Sequence, residues 1–216
     1  MQQFKAALFD LDGTLVDTEG QYSVFWSDMG RRFHPEIPNF DQIIKGTTLT
    51  SIFERYFPLQ SQQDELTPLL NQWEADMEYP FVKGVETFME SLKANGVKCA
   101  VVTSSNQPKM DSVRRKVENF DRLFDIVLTA EDFSASKPDP DCYLKAADRL
   151  GVKKEECVVF EDALNGLQAG MAAGMFTVGL TTTNSEETIK NLCHLTAQDF
   201  TSLDFKMLDS ELAQRI

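Results

Sequence analysis

Short apolar runs alternate with amphipathic segments from about residue 84 to the end of the chain. The apolar runs are "VKCAVVT", "FDIVLTA", "CVVFED" and "MFTVGL", and a fifth, "AALFDLD", lies near the amino terminus. Their length and apolar character predict strands, whereas the segments between them place apolar residues at helical spacing. Alternation of this kind is typical of a parallel sheet. The sequence therefore predicts an α/β fold whose sheet carries helices on both faces.

The segment from about Val16 to Pro80 interrupts this alternation. It contains no convincing apolar strand, but aromatic and aliphatic residues recur in it at helical spacing. They are Tyr22, Phe25, Trp26, Met29 and Phe33, followed by Ile52, Phe53, Tyr56 and Phe57. This spacing indicates the core of a small helical bundle more strongly than an aromatic binding site. We therefore predict an all-helical cap domain, residues 16–81, inserted into a core of residues 1–15 and 82–216, with hinges at the two crossings.

Composition excludes several classes of protein. The chain has 21 basic and 34 acidic residues among 216, a net charge of −13, and shows no basic stripe, so we expect no nucleic-acid partner. No run approaches the roughly 18 apolar residues that span a bilayer. The amino-terminal "MQQFKAALFD" lacks the features of a secretory signal. We therefore expect a cytoplasmic protein without a membrane partner and, because nothing in the sequence indicates assembly, a monomer.

Polar side chains follow the ends of four predicted strands. In chain order they are Asp10 and Asp12, Thr103 and Ser104, Lys137, and finally Glu161 and Asp162. Each group alone has an ordinary explanation, such as a capped turn or a surface lysine. Because ligands bind at the carboxyl ends of parallel strands, we expect these groups to meet at one edge of the sheet. Their joint occurrence favours a catalytic site.

The four carboxylates would repel one another if they were packed together without compensation. A hard divalent cation with oxygen ligands resolves this repulsion, and Mg²⁺ prefers a few carboxylates together with a substrate phosphate. The acidic chain as a whole would repel a phosphorylated substrate. A phosphate site must therefore be made locally positive by a metal, a lysine or helix N–H groups.

Four stretches, "DLDGTLVDT", "VVTSS", "SKPDP" and "FEDALNG", resemble the four motifs of the haloacid dehalogenase-like phosphotransferases. The similarity runs over nearly the whole chain. The position and helical character of the insert resemble the subgroup that contains β-phosphoglucomutase and small phosphosugar phosphatases. This resemblance implies a Rossmann-like core with a helical cap, Mg²⁺ as the cofactor and a small phosphorylated metabolite as the partner.

The resemblance also implies roles for individual residues. Asp10 would be the nucleophile that forms an aspartyl-phosphate, and Asp12 would protonate the leaving oxygen and then deprotonate the attacking water. The phosphoryl group would be held by Thr103, by the backbone N–H of Ser104 and by Lys137. The implied metal ligands are Asp10, the backbone carbonyl of Asp12, Glu161 (directly or through water) and Asp162.

Three substitutions favour hydrolysis over isomerisation. The β-phosphoglucomutase pattern has an arginine shortly after the "KG" pair of the cap, a histidine in the first cap helix and a lysine after the second motif. The corresponding residues here are Leu49, Tyr22 and Asn106. We therefore expect a phosphatase that acts on a small metabolite such as a sugar phosphate, with a mutase as the alternative.

Two further expectations concern the cap and a non-enzymatic alternative. Lys45 and Thr47 are candidates for contacting the substrate. The alternative is that Lys45 is an ordinary lysine beside Gly46, a glycine that ends a helix. A non-catalytic phosphate-binding protein on this fold would have lost its nucleophile or its metal motif. Because Asp10, Asp12, Lys137 and Asp162 are all present, this alternative is disfavoured.

Overall fold

A single parallel sheet forms the centre of the molecule. The computed structural model describes residues 3–44 and 49–214, and within them the sheet has six strands in the order β3-β2-β1-β4-β5-β6. The strands are β1 (Ala6–Phe9), β2 (Lys98–Val102), β3 (Ile126–Leu128), β4 (Cys157–Glu161), β5 (Phe176–Leu180) and β6 (Leu195–Ala197). All neighbouring strands run parallel. The five predicted strands are confirmed, and β6 is an additional edge strand.

Ten α-helices accompany the sheet in the described part of the chain. Four lie between β1 and β2: α1 (Glu19–Phe33), α2 (Phe40–Ile44), α3 (Leu49–Tyr56) and α4 (Gln60–Asp76). The others are α5 (Val85–Ala94), α6 (Gln107–Lys116), α7 (Asp141–Leu150), α8 (Leu164–Ala172), α9 (Glu186–Ile189) and α10 (Phe205–Ala213). Short 3₁₀ helices lie at Phe120–Leu123, Ala130–Asp132, Lys154–Glu156 and Phe200–Ser202. None of the described helices combines the length and apolar character needed to cross a membrane.

Two buried layers cover the faces of the sheet, as the alternating pattern predicts. Side chains alternate between faces along each strand, so Leu8 and Phe9 enter different layers. Phe9 stacks on Phe160 of β4 with ring centroids 4.7 Å apart. The layer around Phe9 is completed by α5, α6 and α10, and the layer around Leu8 by α7 and α8. This arrangement confirms the predicted sheet with helices on both faces.

The four helices α1–α4 form a separate apolar cluster of their own. Its buried members are Phe25, Trp26, Met29, Phe40, Ile44, Ile52, Phe57, Leu66 and Leu70. The interpretation of the aromatic stripes as the core of a helical insert is therefore confirmed. Trp26 belongs to this core and also lines the cavity described below.

The chain enters and leaves the insert through two paired segments. The backbone N–H of Asp17 donates to the carbonyl of Pro80 at 2.8 Å, and that of Val82 donates to the carbonyl of Leu15 at 2.9 Å. Val16 and Phe81 thus form an antiparallel bridge. This bridge lies beside the predicted boundaries of the cap; the division into two domains and the hinge motion stay predictions.

Candidate active site

A cavity of about 380 Å³ lies at the carboxyl edge of the sheet, between the sheet and the helical insert. The strand order reverses between β1 and β4, and ligands bind at such switch points in open α/β sheets. The predicted site residues that line it are Asp10, Asp12, Thr103, Ser104, Lys137, Glu161 and Asp162. The fold thus brings together all of the predicted core residues. Lys45 and Thr47 lie outside the described residues.

Lys137 connects two of the acids at the bottom of the cavity. Its ammonium group donates to Asp10 Oδ1 at 2.6 Å, to Glu161 Oε1 at 2.7 Å and to the carbonyl of Val102 at 3.0 Å. The side chain is only 6 % exposed. Burial alone would lower the pKa of Lys137, but the carboxylates of Asp10 and Glu161 outweigh it and raise the pKa. A positive charge is therefore fixed at this edge of an otherwise acidic molecule.

Three buried acids lie close enough to share a cation. Ligand oxygens of Asp10, Glu161 and Asp162 all lie within 4.8 Å of one another. Burial raises the pKa of Asp10 to about 7, with Lys137 opposing the rise and Glu161 adding to it. Burial and then the neighbouring Glu161 and Asp10 raise the pKa of Asp162. Crowded oxygen ligands that resist ionisation suit a hard divalent cation such as Mg²⁺.

Two glycines leave the space that these acids occupy. Gly13 has a φ of +76°, and a Cβ added there would lie 2.2 Å from Asp162 Oδ2. A Cβ on Gly166 would lie 1.8 Å from Glu161 Oε1. Neither position admits a larger residue without moving a carboxylate, and Gly13 also adopts a backbone conformation that favours glycine. The "DG" and "NG" pairs of the motifs are thus explained by close approach to the acids.

Hydrogen bonds fix the orientation of the cluster. Asp162 Oδ1 accepts from the hydroxyl of Thr14 at 2.8 Å. Glu161 Oε1 accepts from the hydroxyl of Tyr143 at 2.8 Å, in addition to its contact with Lys137. The side-chain amide of Asn184 donates to the carbonyl of Asp162 at 2.9 Å. The acids are therefore held in place by elements from both halves of the sheet.

The carboxylate of Asp12 lies outside this cluster and has partners of its own. Its Oδ1 accepts from the hydroxyl of Thr18 at 2.7 Å, and its Oδ2 accepts from the hydroxyl of Ser105 at 3.1 Å. Oδ2 also forms an ion pair with the ammonium group of Lys109. Of the four acids expected around one ion, three therefore share a site through their side chains. The expected contribution of Asp12 is its backbone carbonyl, which remains a prediction.

Lys109 is a site residue that the sequence motifs did not indicate. It lies in the first turn of α6, where it appears in the sequence as one more polar residue of an amphipathic helix. Its side chain is only 4 % exposed, and it lines the cavity. One signal was available: the side chains of a helix tilt toward its N-terminus, so a polar residue in the first turn of a helix that begins at the site is a candidate for it.

Thr103 and Ser104 line the cavity between β2 and α6. Thr103 is buried, and its hydroxyl accepts from the backbone N–H of Ser105 at 3.0 Å. Asn106 caps α6 by accepting from the N–H of Lys109 at 3.1 Å. Hydroxyl and N–H groups at the start of a helix can bind an anion such as a phosphoryl group.

A family model described as haloacid dehalogenase-like hydrolase matches residues 7–180, which is most of the chain. This chain belongs to that family. The resemblance carried by the four motifs is thereby confirmed, and this protein is an enzyme of the family. The match includes the whole helical insert and every core residue predicted for the site.

Relatives of the hydrolase include named phosphatases. Validoxylamine A 7'-phosphate phosphatase of Streptomyces hygroscopicus subsp. limoneus is 33% identical over 194 residues, which cover 86% of this chain and 90% of that protein. Hexitol phosphatase A of Escherichia coli K12 is 32% identical over 180 residues, which cover 82% of each chain. The crystal structure of β-phosphoglucomutase from Clostridium difficile has a TM-score of 0.82 at 21% identity and covers 98% of each chain. That likeness shows the shared fold.

Proposed function

We propose that this hydrolase removes the phosphoryl group from a small phosphorylated metabolite, namely a sugar or sugar-alcohol monophosphate. The proposal has the reaction depend on Mg²⁺ and pass through an aspartyl-phosphate on Asp10. The observation that carries it is the pairing of two acids with two buried lysines at one cavity. Asp10 contacts Lys137 beside the acid cluster, whereas Asp12 contacts Lys109 on the side of the insert. The names of the two phosphatase relatives support the same reaction class.

The first step transfers the phosphoryl group to the protein. A carboxylate oxygen of Asp10 attacks phosphorus, and the bond between phosphorus and the leaving oxygen breaks. Asp12 delivers its proton to that oxygen, and the dephosphorylated metabolite departs as a neutral alcohol.

The second step returns the protein to its starting state. A water molecule attacks phosphorus, and the bond between phosphorus and Asp10 breaks. Asp12 takes a proton from the water as it attacks, so that inorganic phosphate leaves and Asp12 is protonated again. One water is consumed for each phosphate released.

Residues of the core would hold the transferring group. Lys137 supplies a fixed positive charge beside Asp10, and Thr103 with the N–H of Ser104 supplies hydrogen-bond donors. Preorganised donors of this kind stabilise charge that develops in the transition state. Asp10, Glu161 and Asp162 would hold Mg²⁺, together with the backbone carbonyl of Asp12. When bound, the ion offsets the negative charge of the phosphoryl group and so permits an anionic nucleophile to approach it.

The insert side of the cavity favours a leaving group without a second phosphate. The described insert residues that line the cavity include the acids Glu19, Asp41 and Glu74, and none of them is a lysine or an arginine. Apart from Lys109 of α6, which already pairs with Asp12, a second phosphate would therefore meet acidic side chains, and like charges that face each other disfavour binding. A phosphosugar mutase must bind such a group. This observation supports hydrolysis over the mutase alternative.

The test is phosphate release with Mg²⁺ from fructose 6-phosphate, fructose 1,6-bisphosphate and β-glucose 1-phosphate. We expect kcat/KM to be at least about tenfold higher for fructose 6-phosphate than for the bisphosphate, because each unfavourable charge pair costs on the order of 1 kcal/mol. β-Glucose 1-phosphate should yield glucose and phosphate. The absence of release from all three substrates would contradict the proposal. Glucose 6-phosphate formed without matching phosphate would establish the mutase instead.

Asp12→Ala should lower kcat by about 10²–10⁴-fold, the usual contribution of general acid–base catalysis, and leave Mg²⁺ binding nearly unchanged. The reason is that the Asp12 carboxylate lies outside the three-acid cluster. Steady-state phosphate release and an Mg²⁺ titration by calorimetry measure the two effects. The control is Asp111→Ala, which removes an exposed carboxylate from α6. If loss of Mg²⁺ affinity were the main effect, the assignment of Asp12 would be wrong.

A further inference from the structure

We propose that Lys109 is a positioning residue. It holds the carboxylate of Asp12 in the orientation that protonates the leaving oxygen, and it links this orientation to the helical insert. The proposal rests on the proposed function, in which Asp12 protonates this oxygen. Lys109 itself would not touch the reacting atoms.

Three contacts hold the Asp12 carboxylate at both of its oxygens. Thr18, which precedes α1, binds Oδ1, whereas Ser105 and Lys109 bind Oδ2. The Asp12 side chain is 27 % exposed, so its position depends on these partners more than on packing. Of these three partners, Lys109 carries the charge. It belongs to the core, and its side chain is only 4 % exposed. Its removal would leave one oxygen with only a hydroxyl partner.

Lys109 also contacts the insert. Its ammonium group lies 4.6 Å from the centroid of the Tyr22 ring in α1, within the range of a cation–π contact. The hydroxyl of Tyr22 donates to Glu74 Oε1 in α4 at 2.8 Å. Glu74 is buried, and its backbone carbonyl accepts from the hydroxyl of Tyr79 at 2.6 Å. One continuous set of contacts therefore runs from α4 through α1 and α6 to the general acid.

This arrangement has a consequence that depends on the substrate. A misplacement of about 1 Å in a catalytic group can cost about 10²-fold in rate. A sugar alkoxide is a poor leaving group and requires protonation, whereas p-nitrophenolate leaves readily without it. Loss of Lys109 should therefore slow the transfer of the phosphoryl group from a sugar phosphate much more than from p-nitrophenyl phosphate. A general loss of structure would slow both alike.

The experiment compares kcat/KM for fructose 6-phosphate and p-nitrophenyl phosphate, because this ratio reports the first chemical step. For Lys109→Met, we expect a fall of about 30–100-fold with the sugar phosphate and less than about threefold with the aryl phosphate. Lys116→Met is the matched control. It lies on the same helix and also reaches the insert, where it donates to Glu78 Oε1 at 3.0 Å. It should change neither value.

Two further variants keep the test informative if Lys109→Met does not fold. Lys109→Arg retains the charge and should recover part of the activity toward the sugar phosphate. Tyr22→Phe retains the ring but loses the hydrogen bond to Glu74. Its kcat/KM should fall less than that of Lys109→Met, and again more with the sugar phosphate than with the aryl phosphate. Equal losses with both substrates, or no loss with either, would overturn the inference. If the unmodified chain released no phosphate from either substrate, the proposed function itself would fail.

Discussion

Asp10→Asn should abolish phosphate release, with a fall of at least about 10⁴-fold, while the protein stays folded. The amide that replaces the carboxylate has nearly the same shape but cannot attack phosphorus. Phosphate release in the presence of Mg²⁺ measures the effect. Asp28→Asn, which alters an exposed carboxylate of α1, is the control and should retain full activity. Retained release by Asp10→Asn would exclude the aspartyl-phosphate route.

The same variant should be at least as stable as the original chain when metal is absent. Burial raises the pKa of Asp10 from 3.8 to about 7, so the fold favours the protonated acid. The ionised form therefore costs stability, and the free energy of unfolding falls as the pH rises from about 4 to 7. Asp10→Asn removes this cost. In EDTA, we expect the Tm of the variant minus that of the original chain to be larger at pH 8 than at pH 4.5.

Removal of divalent metal should have the second large effect. We expect EDTA to lower phosphate release by at least about 10³-fold and added Mg²⁺ to restore it, since the ion supplies several kcal/mol of charge stabilisation. Mg²⁺ should also raise the Tm. At a concentration 100-fold above the Kd, binding contributes about 2.7 kcal/mol, which corresponds to about 5–10 °C for a chain of this length.

Asp162→Asn tests whether the three-acid cluster is the site that binds the ion. It removes one charge of the three-acid cluster and should abolish most of the rise in Tm that Mg²⁺ produces. Asp111→Asn on the surface of α6 should leave that rise intact. Full activity in a metal-stripped preparation would contradict the proposed role of Asp10, Glu161 and Asp162.

The sheet and the insert could be predicted because their patterns are local. Strands such as β4 are buried along their whole length and form continuous apolar runs. Strand β6, Leu195–Ala197, has only three residues at the edge of the sheet and is half-buried at two of them. A run this short has no distinct apolar pattern, and its pairing with β5 is visible only in the structure.

The acids of the site were predictable from the ends of strands, but their separate environments were not. Alternation along an extended chain predicts that Asp10 and Asp12 point the same way, and both do line one cavity. However, β1 ends at Phe9, and the chain then turns, so the two carboxylates have different partners. Lys109 lies 97 residues from Asp12 in sequence. Its role depends on the rotation of α6, which helical spacing alone does not give.

The bridge between Val16 and Phe81 bears on how substrate range can change. Because the outgoing and returning segments are hydrogen-bonded neighbours, the chain leaves and re-enters the core at one place. A helical module of another size or sequence could be inserted at that place without altering the spacing of the strands beneath it. We expect related chains to exchange this module while the three acids and Lys137 keep their places. Substrate range would then change with the insert, whereas the contact between Lys109 and Tyr22 would still link the insert to the general acid.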